Sequence, residues 1–365
     1  MTGDTKIGLM ALAFAAALNP LPTAGQDTPA PAMPENPSEE FLTQNIQRLD
    51  EFGRDPMPAG AKYKHQAAGD QVLILYVEML LEQYPKTAYK DAALIAKLGA
   101  LARRARMNPL FLQELLTATK EISHSKPKGK LASENAYYAI QAFVFGARYE
   151  DMPDERRRKG TIERYRAFIE DYPSSARAAA IHASLIRSLI ADGRVDQAEK
   201  ELAKLEKNHA NNAATRRAKG EVYRARAVGR PFKRTLTTSE GKAIRVGEYA
   251  GKVLMIHFHS RSHRTSKSDF ARLSGLYDKH HARGLEIISV ELGAEQTPAE
   301  ESADSEKIAW TEYREPMGFR SDIVIDNGII KLPTFFVIDR KGILRGAGHD
   351  VELSELVERL LSTTG

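Results

Sequence analysis

Leu332-Pro333-Thr334-Phe335-Phe336-Val337-Ile338-Asp339 decides how the C-terminal part of this chain folds. A proline opens the run, β-branched and aromatic residues follow, and Asp339-Arg340-Lys341-Gly342 supplies a turn. Ile343 to Arg345 is then the returning strand, and Leu353 to Leu361 a closing amphipathic helix. Upstream, Val253 to His259 (VLMIHFH) and Leu285 to Leu292 (LEIISVEL) are apolar on both faces, as strands inside a sheet are. A helix reaching Ala282 separates them, and Pro298 to Ala309 is expected to be helical. Leu236 to Thr238 and Ala243 to Val246 flank Glu240-Gly241 as a short hairpin. The order β-β-β-α-β-α-β-β-α predicts an α/β domain whose mixed sheet carries helices on both faces.

Before Gly229-Arg230-Pro231 the text is helical. Asn36, Pro37 and Glu39 form a helix start, and Ser125 to Lys130 a loop between helices. Ile162, Tyr165, Phe168 and Ile169 fall at helical spacing ahead of Tyr172-Pro173. Ile181 to Ile190 and Val195 to Leu205 are two helices joined at Asp192-Gly193, an antiparallel helical hairpin. Gly193, Val195 and Ala198 stand as G-x-[large]-x-x-A, and this hairpin resembles one tetratricopeptide repeat. Leu81 to Ala88 and Ile169 to Ala176 echo one another, each carrying Tyr-Pro between a helix end and a helix start. The echo fits a repeat array and fits plain helix punctuation. Arg156-Arg157-Arg158-Lys159 is a solvated helix face.

The 365 residues suffice for two or three domains, and 42% hydrophobic with 28% charged residues is the balance of a globular protein. A net charge of +5, spread along many helices, lacks the concentrated basic stripe of a nucleic-acid binder. Lys6, the apolar run Ile7 to Leu18 and the small residues Ala24-Gly25 predict a secretory signal, too short to span a bilayer comfortably. The expected organisation is a signal over 1–25, a Pro/Ala-rich linker over 26–36, an all-helical domain over 37–226 and the α/β domain over 227–365. The product is therefore expected to be exported, to the periplasm or beyond, with no membrane span after cleavage.

The α/β part resembles the exported TlpA-type thioredoxin-like proteins and the related peroxiredoxin-like redoxins. The resemblance rests on Gly241-Lys242, Ala250-Gly251-Lys252-Val253, Gly284-Leu285-Glu286-Ile287-Ile288, Trp310 and Leu332 to Asp339 with Gly342, all in the family's order. It implies that Pro333 follows a cis peptide bond and faces the redox motif. It also implies that an extended peptide pairs with the backbone at Leu332, Pro333 and Thr334. The alternative is that Pro333 serves the loop alone.

Where the family carries Cys-x-x-Cys, this chain has His263-Arg264-Thr265-Ser266, and it contains no cysteine anywhere. Disulfide exchange requires a thiolate attacking sulfur, and neither imidazole nor a serine hydroxyl replaces it. Peroxidase chemistry of the peroxiredoxin kind falls with it. His257 and His259 share a strand face and His263 follows, so three imidazoles present themselves for zinc or copper. The competing reading of His257 is a satisfied core histidine beneath the motif. Ser266 and His263 lie one turn apart without a recognisable acidic orienter, His280-His281 reads as an exposed helix end, and Glu301, Asp304 and Glu306 as a solvated face. The expectation is a non-catalytic exported module that binds an envelope protein or an extended peptide and holds no cofactor. The alternatives are a metal-binding protein using His257, His259 and His263 and, by family alone, a thiol–disulfide oxidoreductase.

Overall fold

A computed structural model of the protein describes residues 34, 36–54, 62–261, 266–293, 308–349 and 351–363. The expected signal over 1–25 lies outside them, as does nearly all of the helix expected over 298–309. Among the described residues no helix is long and apolar enough to cross a membrane. The chain divides into two compact units between Ala178 and Ala179.

The first unit is all helical: α1 (Glu39–Arg54), α2 (Lys62–Gln83), α3 (Lys90–Met107), α4 (Leu112–His124), α5 (Gly129–Tyr149) and α6 (Asp154–Asp171). α1 starts two residues later than its sequence suggests, because the Ser38 hydroxyl, in place of the Asn36 side chain, accepts the Phe41 N–H at 3.1 Å. Leu42 and Ile46 of α1, Leu73, Val77 and Leu80 of α2, and Leu98 and Leu101 of α3 fill one core. Beside it Arg103 of α3 donates to Asp70 of α2 at 2.8 and 2.6 Å and lies 3.5 Å from Asp50 of α1. Burial raises the Asp70 carboxyl above its ordinary range, and Arg103 only partly opposes this.

The second unit begins with α7 (Ala178–Ala191), α8 (Val195–His209) and α9 (Ala213–Ala227). Gly193, at φ +73°, turns α7 into α8, and fully buried Ala198 lets the hairpin close. Strands β1 (Thr235–Thr237) and β2 (Ala243–Arg245) form the expected hairpin, with Leu236 opposite Ile244. The main sheet comprises β3 (Val253–His259), β4 (Leu285–Leu292), β5 (Thr311–Glu315), β6 (Thr334–Ile338) and β7 (Leu344–Gly348), in the order β5-β4-β3-β6-β7. β3, β4 and β5 run parallel, and β6 and β7 are antiparallel to their neighbours. α10 (Ser266–His280), α11 (Asp322–Asp326) and α12 (Leu353–Ser362) complete the unit.

Two differences from the sequence reading have simple causes. β5 was not expected: as an edge strand its Thr-Glu-Tyr-Arg-Glu carries polar residues and no apolar run. β7 extends past Arg345 through Gly346, Ala347 and Gly348, a small-residue run that carries no apolar alternation to mark it as strand.

Alternate residues of β3 bury on opposite faces. Val253 and Met255 pack with Leu273 of α10 and Leu356 and Val357 of α12. Leu254, Ile256 and Phe258 pack with Phe232, Ile244, Ile323 and Ala227, with Tyr223 against them. α9 therefore covers the sheet's second face, and α7 to α9 fall in the same unit as the sheet; the boundary expected at 226/227 cuts behind this covering helix. Gly220 of α9 makes the contact possible, since a β-carbon there would lie 2.0 Å from the Ile325 carbonyl oxygen and 2.9 Å from the Gly328 nitrogen.

Helix propensity alone favours Gly220→Ala by about 1 kcal/mol. Backbone overlap reverses the sign: the variant is expected to lose about 2–3 kcal/mol, read from its urea unfolding midpoint. Unchanged or increased stability would show that α9 does not need this close approach.

Candidate functional site

β3 delivers His257 and His259 to one face of the sheet at its C-terminal end, and the antiparallel register with β6 brings Thr334 opposite Phe258 at the same end. Both histidines are buried. The Phe335, His257 and His259 rings form a stack, with centroids 4.9 and 4.8 Å apart and interplanar angles of 8° and 20°. Phe270 of α10 meets both imidazoles edge-on.

Each imidazole is held on one side. The Trp310 indole N–H donates to the Ser289 hydroxyl at 2.9 Å, and that oxygen lies 3.4 Å from His257 Nδ1. His259 Nε2 lies 3.0 Å from the Glu312 carboxylate, which also receives Arg261 at 2.5 Å. Arg261 in turn lies 3.6 Å from Glu291. Burial holds His257 well below the usual histidine range, with His259 and Arg272 pushing the same way. Burial works to raise the Glu312 carboxyl, but the His259 hydrogen bond and the Arg261 charge outweigh it and leave it below the usual carboxylate range.

The Leu332–Pro333 peptide bond is cis. The Pro333 carbonyl accepts from His349 Nδ1 at 2.7 Å, and the Thr334 hydroxyl donates to the Lys331 carbonyl at 2.7 Å. Proline has no N–H to offer, and Thr334 already stands in the β3–β6 ladder. Among the three residues of the expected peptide edge, Leu332 is thus the one outside these engagements.

A five-stranded sheet of this order, its cis-proline entering β6 beside the end of β3, decides the fold. The C-terminal domain is thioredoxin-like. No protein-family model matches the chain. Over 137 residues it is 26% identical to the thiol-disulfide oxidoreductase ResA of Bacillus thuringiensis subsp. konkukian, covering 34% of this chain and 73% of that one. The ResA of Bacillus cereus matches to the same extent. Among solved structures, an uncharacterized thioredoxin-like protein from Bacteroides vulgatus is 25% identical over 36% of this chain and 86% of its own, with a TM-score of 0.30. A putative thiol:disulfide interchange protein DsbE from Chlorobium tepidum is 20% identical over 37% of this chain and 92% of its own, with a TM-score of 0.29.

In this thioredoxin-like domain the redox positions hold no thiol, so thiol–disulfide exchange has no nucleophile. His263, Arg264 and Thr265 lie outside the described residues, and Ser266 opens α10. The expected meeting of His257 and His259 is found, but as a stack: their in-plane lone pairs run side by side, and His259 Nε2 is taken by Glu312. Among the described residues no group of three or more His, Asp or Glu side chains is placed to hold a metal ion. His280, read from sequence as an exposed helix end, is instead buried, 3.0 Å from Glu358 of α12 and accepting from Arg283 at 3.1 Å. Glu312 and Ser289 were missed because they come from neighbouring strands; among the groups around the two histidines, Trp310 was legible through the family resemblance.

A neutral buried His257 sets a pH dependence. Its folded pKa is depressed, so the unfolded chain binds the extra proton. Stability is then full above about pH 6.5 and falls as pH drops below it. His257→Phe keeps the ring stack and is expected to remove part of that acid-side decline, measured as urea midpoints between about pH 7.5 and pH 5. An identical slope in the variant would show that His257 does not titrate on unfolding.

Proposed function

We propose that this protein is an exported, non-catalytic binding module whose thioredoxin-like domain retains a peptide-pairing edge beside Pro333 after losing the redox cysteines. One observation carries the reading: beside Pro333, at the end of the β3–β6 ladder, Leu332 stands outside the hydrogen bonds that engage the Pro333 carbonyl and Thr334, in a chain without cysteine. Backbone hydrogen bonding to an extended segment needs no thiol, so binding survives the loss of chemistry. The relatives named as thiol-disulfide oxidoreductases share this chain's scaffold, and without a cysteine the thiol chemistry that name denotes has no nucleophile here. The apolar run Ile7 to Leu18 supports export. The partner is an envelope protein or an extended peptide, and the helical unit supplies further surface for it.

The test uses the full chain and a labelled, reduced and alkylated polypeptide as a permanently extended partner. Binding by fluorescence anisotropy is expected to weaken about tenfold in a Leu332→Ala/Pro333→Ala variant that stays folded by circular dichroism. Unaltered binding by that variant sinks the edge. In parallel no insulin-disulfide reduction is expected, and turnover above the uncatalysed rate would overturn the non-catalytic reading.

A further inference from the structure

A pocket of about 270 Å³ opens in the helical unit where α4 gives way to α5. On α5 the lining residues Ala132, Ala136 and Ala139 recur at helical spacing and offer only methyl groups. Tyr172, just past α6, lines it as well, and Ser123 and Lys126 come from the end of α4 and the loop after it.

Among the alanines stands Asn135, 4% exposed. Its amide nitrogen is fully used, donating to the Thr119 carbonyl at 3.1 Å and to the Ser123 hydroxyl at 2.9 Å. The Thr119 carbonyl can only accept, which fixes that end of the amide as the nitrogen. The other end, Oδ1, is buried with no hydrogen-bond partner among the described residues. A buried amide oxygen without a donor is a rare cost in a folded protein, and a bound N–H removes it.

The second feature is Lys126, the one charged residue lining the pocket among the described residues. Its φ of +52° places it just past the α4 cap at Ser125, in the left-handed position that glycine usually takes. The turn gains nothing from a side chain there. An occupant must therefore donate to an amide oxygen, carry negative charge and stay slim beside alanine. A metal ion or a cationic side chain would meet Lys126 as a like charge. A peptide bearing aspartate or glutamate offers a backbone N–H and a carboxylate within one residue. The volume, below the ~300 Å³ at which drug-sized ligand sites begin, suits a short stretch of such a segment.

We propose that this pocket binds an acidic peptide segment of a partner protein, with Asn135 Oδ1 accepting a backbone N–H and Lys126 pairing with a carboxylate beside it. Small side chains of the segment face Ala132, Ala136 and Ala139. The site uses residues of the helical unit alone and does not depend on the edge at Pro333.

The full chain is titrated into a short fluorescein-labelled peptide of alternating Asp and Ala, with Asn–Ala and Lys–Ala peptides as comparisons. Anisotropy is expected to report the aspartate peptide binding about fivefold or more tightly than either. Lys126→Gly is expected to weaken it about fivefold while the urea midpoint stays the same or rises, because glycine takes a positive φ without strain. Ala139→Phe, at an exposed position, fills the pocket without altering charge and is expected to weaken binding about tenfold. Asn135→Asp, checked for retained helix by circular dichroism, sets a charge against the ligand's carboxylate and is expected to weaken it about tenfold or more. Lys200→Ala on α8 and Leu332→Ala/Pro333→Ala are expected to leave it unchanged. Equal binding of the three peptides overturns the proposal, as does unaltered binding in Lys126→Gly and Ala139→Phe, which keep the test decisive should Asn135→Asp not fold. So does loss of aspartate-peptide binding in Leu332→Ala/Pro333→Ala with the pocket variants inert, an outcome that assigns the peptide to the edge instead.

Discussion

Every residue of β3 is buried, and that constraint organises the C-terminal unit. A strand with no solvent face needs a neighbour on each edge and a layer on each side. β4 and β6 supply the edges, α10 and α12 one layer, and α9 with α11 and the β1–β2 hairpin the other. This is why a helix that belongs to the α-helical text of the sequence is structurally part of the sheet's unit. It is also why Gly220 and Gly328 meet backbone to backbone, since α9 must come close enough to exclude water from Leu254, Ile256 and Phe258.

The same burial dictates how two histidines can live on β3. An imidazole in a dry interior costs free energy unless its polar atoms are matched. Ser289 and Trp310 answer one side of His257, Glu312 and Arg261 one side of His259, and stacking with Phe335 provides apolar contact for the ring faces. One ring nitrogen on each histidine, Nε2 of His257 and Nδ1 of His259, has no hydrogen-bond partner among the described residues. The arrangement reads as a polar prop beneath the C-terminal end of β3.

The two units show different relations between charge and surface. In the thioredoxin-like domain the carboxylates near the site are spoken for, Glu291 and Glu312 by Arg261 and Glu315 by the backbone and hydroxyl of Ser239. In the helical unit Glu39, Glu40 and Asp50 of α1 line a groove whose lining also includes Ile46, Leu80, Ile95 and the alanines of α3.

Much of the fold was legible locally. Strand runs at Val253 to His259, Leu285 to Leu292 and Thr334 to Ile338, and the hairpin around Gly193, all stand where periodicity and turn chemistry place them. Composition alone removed thiol chemistry. The rest depended on pairings distant in sequence: His259 with Glu312 across 53 residues, and α9 with α11 across about a hundred. The edge strand β5 escaped because its solvated residues carry no apolar signal, and β7, read as far as Arg345, was cut short because Gly346 and Gly348 look like loop. The sequence by itself determined which chemistry this protein lacks and which strand runs form its sheet, because both are properties of residues and their nearest neighbours. Only the tertiary structure decided that the histidines stack, that α9 belongs to the sheet and that α1 faces a groove, because each follows from how distant segments share one limited interior.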